Sequence, residues 1–407
     1  MTYIETFQPY SDFEIKGKLS WYESKDSPVY IKQFNYKLTQ YAPSVYAEIY
    51  LTLSDSEFLE FKQIDSLAIK DRIIEVWFEP ELYSTTTKKS YFPGPFKFCV
   101  VNYSYVKSDS VTDYELRGFG LDFVKIIKLE CIDPIFYQMT LQDKIRSFGK
   151  TTVSEVAEKI LKENGAKIKR IDKTDYSFPW LQTQTTDYEM IRSMLPYAKS
   201  SEGNLVYHLL LFNEEAYFCP ISNSEVSEFK AVIDIDKTID ASVVSYNQKM
   251  IIEKYGSREM KIVNSGYYNF NAVTPEKMNK QSYISGRSGL KQHANVGLRY
   301  INGVLDDEEL SKIYVSNLRQ RIHTFSRILN IVTLSIPEIT PFHCIELISQ
   351  KNGDTKEMDG LYYVGAVDYR FSNANVGLLP NTMSLYLFSE VDSEGAESPE
   401  GSAIKWE

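Results

Sequence analysis

The chain has 407 residues and a formal net charge of −10, a length that predicts two or more compact units of roughly 100 to 200 residues each. Hydrophobic residues make up 43% and charged residues 25%, values that exclude a disordered, collagen-like or coiled-coil chain. The acidic balance, with no basic run to follow a phosphate backbone, argues against sequence-specific binding of nucleic acid.

Aromatic residues are unusually frequent, with 30 Tyr, 22 Phe and 4 Trp, and they favour the pleated, half-buried surface of a sheet. The four cysteines lie far apart without a CxxC pair, which predicts neither a zinc site nor a compact disulfide framework. The first residues lack a basic region followed by an apolar stretch, so we expect no export signal and no membrane span.

The region 1–135 has the pattern of short strands. Apolar and polar residues alternate along residues 45–53, as in a half-buried strand. Residues 72–78, 96–103 and 114–123 are further strand candidates, separated by turn-rich stretches such as 91–95. The spacing predicts a first antiparallel, tube-type β-barrel over 1–135.

The pattern changes over 136–220, where a small α+β domain is predicted. Thr152 and Glu155 have capping-box spacing at the start of an amphipathic helix that Gly165 ends. A strand at about 178–183 precedes a second helix, which begins at Thr186 or Asp187. Residues 205–212 and 215–220 then form a predicted hairpin.

Strand patterns return in the last part of the chain. Residues 221–264 and 303–390 are predicted to form a second tube-type barrel, with a long helix starting at Asp306 or Asp307. The polar stretch 265–302 has no clear period and predicts a loop-rich lobe. The acidic, small residues of 391–407 predict a flexible tail. The predicted fold class is therefore α+β, mainly β.

Residues that could carry chemistry are few. The four histidines are His208, His293, His323 and His343, and none has the spacing of metal ligands. Although Cys344 follows His343, neighbouring residues of a strand point to opposite faces and cannot share a proton.

Glycines at 118–120 and 286–291 lack a complete phosphate-binding pattern. Carboxylates are plentiful, and the sequence alone leaves a glycosidase-type pair open, yet nothing marks one. We predict no catalytic, cofactor-binding or metal-binding residue, no cofactor and no enzymatic activity.

The middle of the chain carries a recognisable series of short motifs. Residues 129–136, which we predict to end a strand of the first barrel, read Leu-Glu-Cys-Ile-Asp-Pro-Ile-Phe. Residues 150–161 read Lys-Thr-Thr-Val-Ser-Glu-Val-Ala-Glu-Lys-Ile-Leu, and Asp187 follows Gln182 by five residues. In this order and pattern the stretch from about 114 to 220 resembles the hub half of VgrG-type spike proteins and the late-control D family of contractile phage tails. The matching positions are Asp133, Pro134, Thr152, Glu155, Gly165, Gln182 and Asp187.

The chain departs from this family at several positions of the last motif. Thr185 and Thr186 stand where the family has Glu-Ser, Met190 replaces Phe, and Pro196 interrupts the end of the helix. These differences indicate a distant relative.

The resemblance implies a structural baseplate hub in a virion tail, assembled in the cytoplasm of a host bacterium. Three copies with two similar barrels each would form a pseudo-sixfold ring around a channel, between a sixfold tail tube and a threefold spike. The implied partners are further copies of the chain, a separate central spike protein, a tube or tube-initiator protein and other baseplate proteins, with DNA only as passing cargo. Because the OB-fold and needle of VgrG-type proteins do not follow the second barrel, we expect the spike to be a separate polypeptide.

Three other functions remain open from the sequence. The chain could be the tail-tip hub of a long non-contractile tail, or a carbohydrate-binding adhesin of β-sandwich type, which aromatic-rich strands would suit. A peptidoglycan hydrolase is the third. The choice between a phage and a toxin-delivery particle also stays open.

Overall fold

The structure is a computed structural model. It describes residues 13–21, 29–39, 45–80, 95–106, 125–220, 230–234, 243–250, 269–273, 293–297, 327–334, 343–348, 360–372 and 382–389. Residues 309, 310, 313, 314, 316, 317, 320, 339 and 341 are described singly, and the first seven of these are helical.

Strands dominate the described residues. The first six are β1 (Phe13–Leu19), β2 (Val29–Thr39), β3 (Tyr46–Leu53), β4 (Ile73–Pro80), β5 (Phe96–Tyr105) and β6 (Lys125–Ile132). The next five are β7 (Lys144–Thr152), β8 (Lys167–Ile171), β9 (Ser177–Thr185), β10 (Tyr207–Phe212) and β11 (Glu215–Pro220). The last eight are β12 (Lys230–Asp234), β13 (Val243–Met250), β14 (Asn269–Val273), β15 (His293–Gly297), β16 (Arg327–Leu334), β17 (Cys344–Ile348), β18 (Gly360–Ser372) and β19 (Thr382–Ser389).

The α-helices with defined ends are short. They are α1 (Asp55–Phe61), α2 (Pro134–Thr140), α3 (Val153–Glu163) and α4 (Asp187–Met194), with 3₁₀ turns at Ile64–Ser66, Ile69–Asp71 and Leu195–Tyr197. The α+β, mainly β class predicted from the sequence is confirmed.

The first six strands form one barrel-like unit. Their order is β1-β4-β5-β6-β3-β2, and every pair is antiparallel. Pairing of Lys16 with Tyr30 and of Gly17 with Val29 then joins β1 to β2. The strand pairings of the first unit therefore form a closed cycle, although the end of β5 beyond Val100 has no strand on its β4 side among the described residues.

The second unit repeats this order. Its strands are β12, β13, β16, β17, β18 and β19 in the chain, and they pair in the order β12-β17-β18-β19-β16-β13. Numbered by rank within its unit, each series reads first, fourth, fifth, sixth, third, second. The first strands differ in direction, because β1 is antiparallel to β4 whereas β12 is parallel to β17. No pairing of β12 with β13 occurs among the residues that the structure describes.

The two units also agree in register. The fifth strand of each bulges against the sixth, between Val100 and Asn102 in β5 and between Val364 and Ala366 in β18. The second strand of each bulges against the third, between Ile31 and Gln33 and between Val243 and Ser245. Aligned on the bulges, buried residues of one unit fall on buried residues of the other. The pairs are Ile49 with Ile331, Ile74 with Ile345, Phe98 with Tyr362, Val100 with Val364, and Leu129 with Leu385.

One strand pair joins the two units. The first part of β18 pairs with β17, and the part beyond the bulge pairs with β2, from Ala366 opposite Thr39 to Ser372 opposite Gln33. The result is a single twelve-stranded sheet that passes through both units. The core of that sheet is continuous across this junction.

Residues 134–220 fold into a small mixed unit between the two. Strand β7 pairs with β9, and β10, β11 and β8 form a second small sheet in which β8 is parallel to β11. Helices α3 and α4 bury Val156, Ile160, Ile191 and other apolar residues in a core of their own, which Leu310 of the later helical stretch joins.

Several sequence predictions were wrong or incomplete in detail. Residues 133–136 were placed at the end of a strand, but β6 ends at Ile132 and Asp133 caps α2. The sequence also missed α1, β7 and β8, and the stretch 265–302 contains the parallel pair β14 and β15. The candidate strand 114–123 and the tail 391–407 lie outside the described residues.

Candidate functional site

Asp187 lies at the centre of the best-defined polar site in the described residues. It is the first residue of α4 and is 1% exposed. Thr186 caps this helix, and its partner Glu189 completes a capping box. Asp187 is thereby fixed where a helix N-terminus favours a negative charge.

Four side chains bind the carboxylate of Asp187. Lys144 Nζ and Asn164 Nδ2 donate to Oδ2 over 2.6 and 2.8 Å, while Arg146 Nη2 and Gln182 Nε2 donate to Oδ1 over 2.6 and 3.1 Å. Lys144 and Arg146 come from β7, Gln182 from β9, and Asn164 from the end of α3. One buried carboxylate therefore ties four elements together.

Burial by itself would raise the pKa of Asp187. Hydrogen bonds from Lys144, Asn164 and Gln182, together with the charge of Arg146, outweigh burial and hold the pKa below its ordinary value. Asp187 is consequently ionised at neutral pH and paired with cations, which makes it a structural clasp and a poor proton donor.

The partners of Asp187 are themselves held in place. Arg146 Nε donates to Gln182 Oε1 over 2.6 Å, and its guanidinium also contacts Glu163 and lies 4.8 Å from the centre of the Phe148 ring. Gln182 Nε2 donates to the carbonyl of Thr185 over 2.8 Å. The network is dense enough to satisfy most donors, as a buried charge requires.

Asp133 forms a second polar site, at the joint between the first barrel unit and the mixed unit. Its Oδ1 accepts from the N–H groups of Ile135 and Phe136, which caps α2, and its Oδ2 accepts from the N–H of Glu214 over 3.1 Å. Pro134 occupies the first turn of the helix, where its missing N–H costs nothing. Burial raises the pKa of Asp133 to about 6, in spite of these three backbone donors.

The same joint uses the turn of the β10–β11 hairpin. Asn213 and Glu214 have positive φ angles of 56° and 64°, as in a tight hairpin turn. Lys97 of β5 donates its N–H to Asn213 Oδ1 over 3.2 Å, and its ammonium lies 3.4 Å from Glu214 Oε2. The hairpin tip is thus fastened to the first barrel unit.

Asn317 makes the corresponding link to the helical stretch before β16. This residue is 5% exposed, and its Oδ1 accepts from the N–H of Val206 over 2.7 Å. Its Nδ2 donates to the carbonyl of Ala198 over 2.9 Å. Nearby, the rings of Tyr197 and Tyr314 are 5.3 Å apart. The mixed unit is therefore bound to segments on both sides of it.

Thr152, Glu155 and Gly165 serve α3 and lie away from Asp187. Glu155 Oε2 accepts from the N–H of Thr152 over 2.8 Å, and the Thr152 hydroxyl accepts from the N–H of Glu155 over 3.3 Å. Gly165 follows the helix with φ +82°, a conformation that side chains disfavour.

The structure brings together only part of the predicted motif. Gln182 and Asp187 are in direct contact, whereas Asp133 with Pro134 and Thr152 with Glu155 form separate caps. Sequence reasoning missed the contributions of Lys144, Arg146, Asn164 and Asn317. The position of Lys144 and Arg146 on the same face of a strand was the available signal, but it did not indicate Asp187 as their partner.

Burial shifts the pKa values of three cysteines and of His343 among the described residues. Burial raises the pKa of Cys99 to about 11 and of Cys219 to about 12, and it raises that of Cys131 well above its ordinary value, so these thiols are weak nucleophiles. Burial lowers the pKa of His343 to about 4. The side chains of His293 and Cys344 and all of His323 lie outside the described residues.

Neither a metal-binding cluster nor a membrane-spanning helix occurs in the described part of the chain. No group of three or more His, Cys, Asp or Glu side chains there could hold a metal ion. Among the same residues, no helix is both long and apolar enough to cross a membrane.

Comparison with known proteins relates the fold to tail proteins. No protein-family model and no curated protein sequence matches the chain. Among solved structures, the tail protein from Neisseria meningitidis MC58 matches with a TM-score of 0.57 and 9% identity, over 94% of this chain and 97% of that chain. The 43 kDa tail protein of prophage MuSo2 from Shewanella oneidensis matches with a TM-score of 0.56 and 9% identity, over 92% of this chain and 98% of that chain.

A chain of the lidded Francisella PdpA-VgrG complex is also similar, with a TM-score of 0.50 and 11% identity. The match covers 93% of this chain and 52% of that longer chain. At these identities the likeness is one of fold. The resemblance inferred from the sequence is confirmed at that level: the chain has the fold of tail proteins and of a VgrG-containing complex.

Proposed function

We propose that this protein is a structural hub of a contractile phage tail or a phage-like injection particle. Three copies would form a ring with pseudo-sixfold symmetry that joins a sixfold tail tube to a threefold central spike and encloses a channel. The tail-protein fold supports the general role.

The repeated unit within the chain is the observation that carries this proposal. Two units with the same strand order and the same bulge positions, fused side by side through β2 and β18, repeat one strand framework within the chain. Three such chains offer six similar units to a sixfold partner while keeping only threefold identity. A closed cyclic arrangement, which is common among homo-oligomers, suits this task.

The mixed unit supports a role in bearing load. It is tied to β5 through Asn213 and Glu214, and to the later helix through Asn317. Such links on both sides would keep the two barrel units in one fixed relation when a tail contracts.

We further propose the division of the chain that the sequence predicts: barrels over 1–135 and over 221–264 with 303–390, a mixed domain over 136–220, a lobe over 265–302 and a tail over 391–407. The proposed partners are a separate spike protein, a tube or tube-initiator protein and other baseplate proteins, within a virion tail. We propose no catalytic activity and no cofactor; DNA would only pass through the channel.

Mass photometry and negative-stain microscopy of the full chain test the ring. We expect particles of three chains, alone or at high protein concentration, that show a central hole and six peripheral lobes after averaging. Particles with two or four chains, or a compact trimer without a hole, would contradict the proposal.

The alternatives have their own readouts. The tail-tip hub of a non-contractile tail would form a similar ring. A gene for a sheath protein beside the gene for this chain would favour the contractile tail over the non-contractile one. A glycan array would detect sugar binding by an adhesin, a function that does not require two repeated strand units. A zymogram on peptidoglycan would detect the hydrolase.

A further inference from the structure

The fifth strands of the two units differ in what lies beside them. Before its bulge, each pairs with the fourth strand of its own unit, so β4 lies beside 96–99 and β17 beside the start of β18. Beyond the bulge, β18 continues against β2. On the corresponding side of residues 101–105 of β5, no strand pairs among the residues that the structure describes.

The second strands of the two units, β2 and β13, also differ in how many strands pair with them. The strand β2 pairs with β3 on one side and with β18 on the other. Its counterpart in the second unit, β13, pairs with β16 on one side, and no strand among the described residues pairs with its other side. Among the described residues, the end of β5 and the strand β13 are therefore the counterparts of the two edges that meet in the β2–β18 junction, and neither has a partner strand on that side.

Exposure agrees with a strand being absent beside β5. In the alignment of the bulges, Tyr105 corresponds to Tyr369, and Val101 corresponds to Gly365. Tyr369 is 0% exposed, whereas Tyr105 is 53% exposed and Val101 is 38% exposed. The end of β5 thus leaves Tyr105 half-exposed, packed on one side against Phe58, whereas Tyr369 at the matching position of β18 is buried beside Phe371.

We propose that β13 of a second copy of this chain adds to the exposed edge of β5, repeating between chains the β2–β18 junction found within the chain. The inference rests on the proposed ring and identifies its subunit contact. The register follows from the β2–β18 junction: since Lys37 lies opposite Asp368, Lys249 of one copy lies opposite Ser104 of the next. Met250 then lies opposite Tyr103, and Gln248 lies opposite Tyr105.

The geometry of this contact favours a closed ring. Each chain has one β5 edge and one β13 edge, so the contact is head-to-tail and repeats by rotation. If the rotation between chains equals the rotation between the two units of one chain, six units close the circle and three chains complete it. Closure would also pair every such edge, which removes sites for uncontrolled strand addition.

Paired cysteines test the register. Opposed residues of antiparallel strands have Cα separations of about 4.5 to 5.5 Å, within the range of a disulfide. The test variant is Ser104→Cys with Lys249→Cys, oxidised in the full chain and examined by non-reducing electrophoresis. The internal control is Lys37→Cys with Asp368→Cys, which tests the same pair of positions inside one chain.

We expect the test variant to give products of two and three chain lengths, and the internal control to give a bridge within one chain. A second control, Ser104→Cys with Ser245→Cys, shifts the register by four residues and should give at least about tenfold less product, because four residues of strand span about 13 Å. The chain without added cysteines measures the background, and circular dichroism checks that each variant folds.

Hydrogen exchange of the unmodified chain provides a second measurement. Amides of 102–105 and 246–250 should become protected when chains associate. Trimers that form without the cross-link and without this protection would overturn the β13–β5 contact and leave the ring intact. If only single chains are found while the internal control forms its bridge, both the contact and the ring are wrong.

Discussion

Phe34 of β2 and Phe371 of β18 lie directly opposite each other across the junction of the two barrel units. Their rings are stacked with centroids 6.2 Å apart and an angle of 19° between planes, and both side chains are fully buried. Phe78 of β4 packs against Phe371 as well, with ring centroids 4.7 Å apart. A residue of the second unit is therefore part of the core of the first.

Replacing Phe371 by Ala should destabilise both units together. Truncating a buried phenylalanine removes apolar burial and leaves a cavity, with a typical cost of about 3 to 5 kcal/mol. Because the ring belongs to one shared core, we expect a single unfolding transition to move to lower denaturant concentration. Unfolding in urea, followed by tryptophan fluorescence and by circular dichroism, checks this.

Leu361→Ala is the matched control on the same strand, since Leu361 is 41% exposed. Its cost should stay within about 0.5 kcal/mol. Two separate transitions in the Phe371→Ala variant would mean that the units unfold independently, contrary to a shared core.

Strands, helix caps and tight turns could be predicted from the sequence because they depend on residues close together in the chain. The alternation of residues 45–53 became β3, and the Thr152 and Glu155 spacing became a capping box. The turn at Asn213 and Glu214 is also where it was predicted. In each case a few adjacent residues carry the determining interactions.

The repeated strand order could not be predicted from the sequence, because paired strands lie far apart in the chain. No pattern in residues 33–39 predicts that they pair with residues 366–372. The Asp187 network has the same character: Lys144 and Arg146 lie more than 40 residues before their partner, and only tertiary packing brings them together.

Asp187→Asn should destabilise the mixed unit strongly. Removing one partner from a buried pair leaves the other charges poorly compensated, at a cost of about 3 to 5 kcal/mol when both are buried. Lys144 and Arg146 are partly exposed, at 34% and 22%, so we expect about 2 to 3 kcal/mol. Chemical unfolding at neutral pH measures the loss.

The pH dependence of this effect has a definite sign. Because the pKa of Asp187 is lowered in the folded chain, its stabilisation is complete above the ordinary value and is lost as the pH falls through the folded value. The difference between wild type and Asp187→Asn should therefore shrink in acid. Glu158→Gln, which removes an exposed pair with Lys162, should cost less than about 0.5 kcal/mol at any pH. A difference between wild type and Asp187→Asn that does not change with pH would contradict this assignment.

Asp133 should act in the opposite direction. Burial raises its pKa from 3.8 to about 6, so between these values the unfolded chain has lost a proton that the folded chain keeps. Stability from this group is full below the unfolded value and falls as the pH rises through the folded value.

Asp133→Asn removes that titration while keeping an oxygen that can cap α2. Relative to the variant, the wild type should lose on the order of 2 to 3 kcal/mol between about pH 4 and pH 6.5. Unfolding free energies across this range, measured for both proteins, provide the comparison. Parallel curves would show that the three backbone donors keep the carboxylate ionised and that burial does not dominate.

Thr152→Ala tests whether the start of α3 depends on its capping box. Thr152 ends β7, which carries Lys144 and Arg146, and it starts α3, which ends beside Asn164, so this cap sets the geometry between partners of Asp187. Loss of the cap should cost about 1 kcal/mol, and Thr152→Ser should recover most of it. The neighbouring Thr151→Val is the control: the Thr151 hydroxyl is buried and forms no hydrogen bond within the described residues, so its removal should be neutral or stabilising. Equal losses from Thr151→Val and Thr152→Ala would assign the effect to packing at the strand end instead of to the cap.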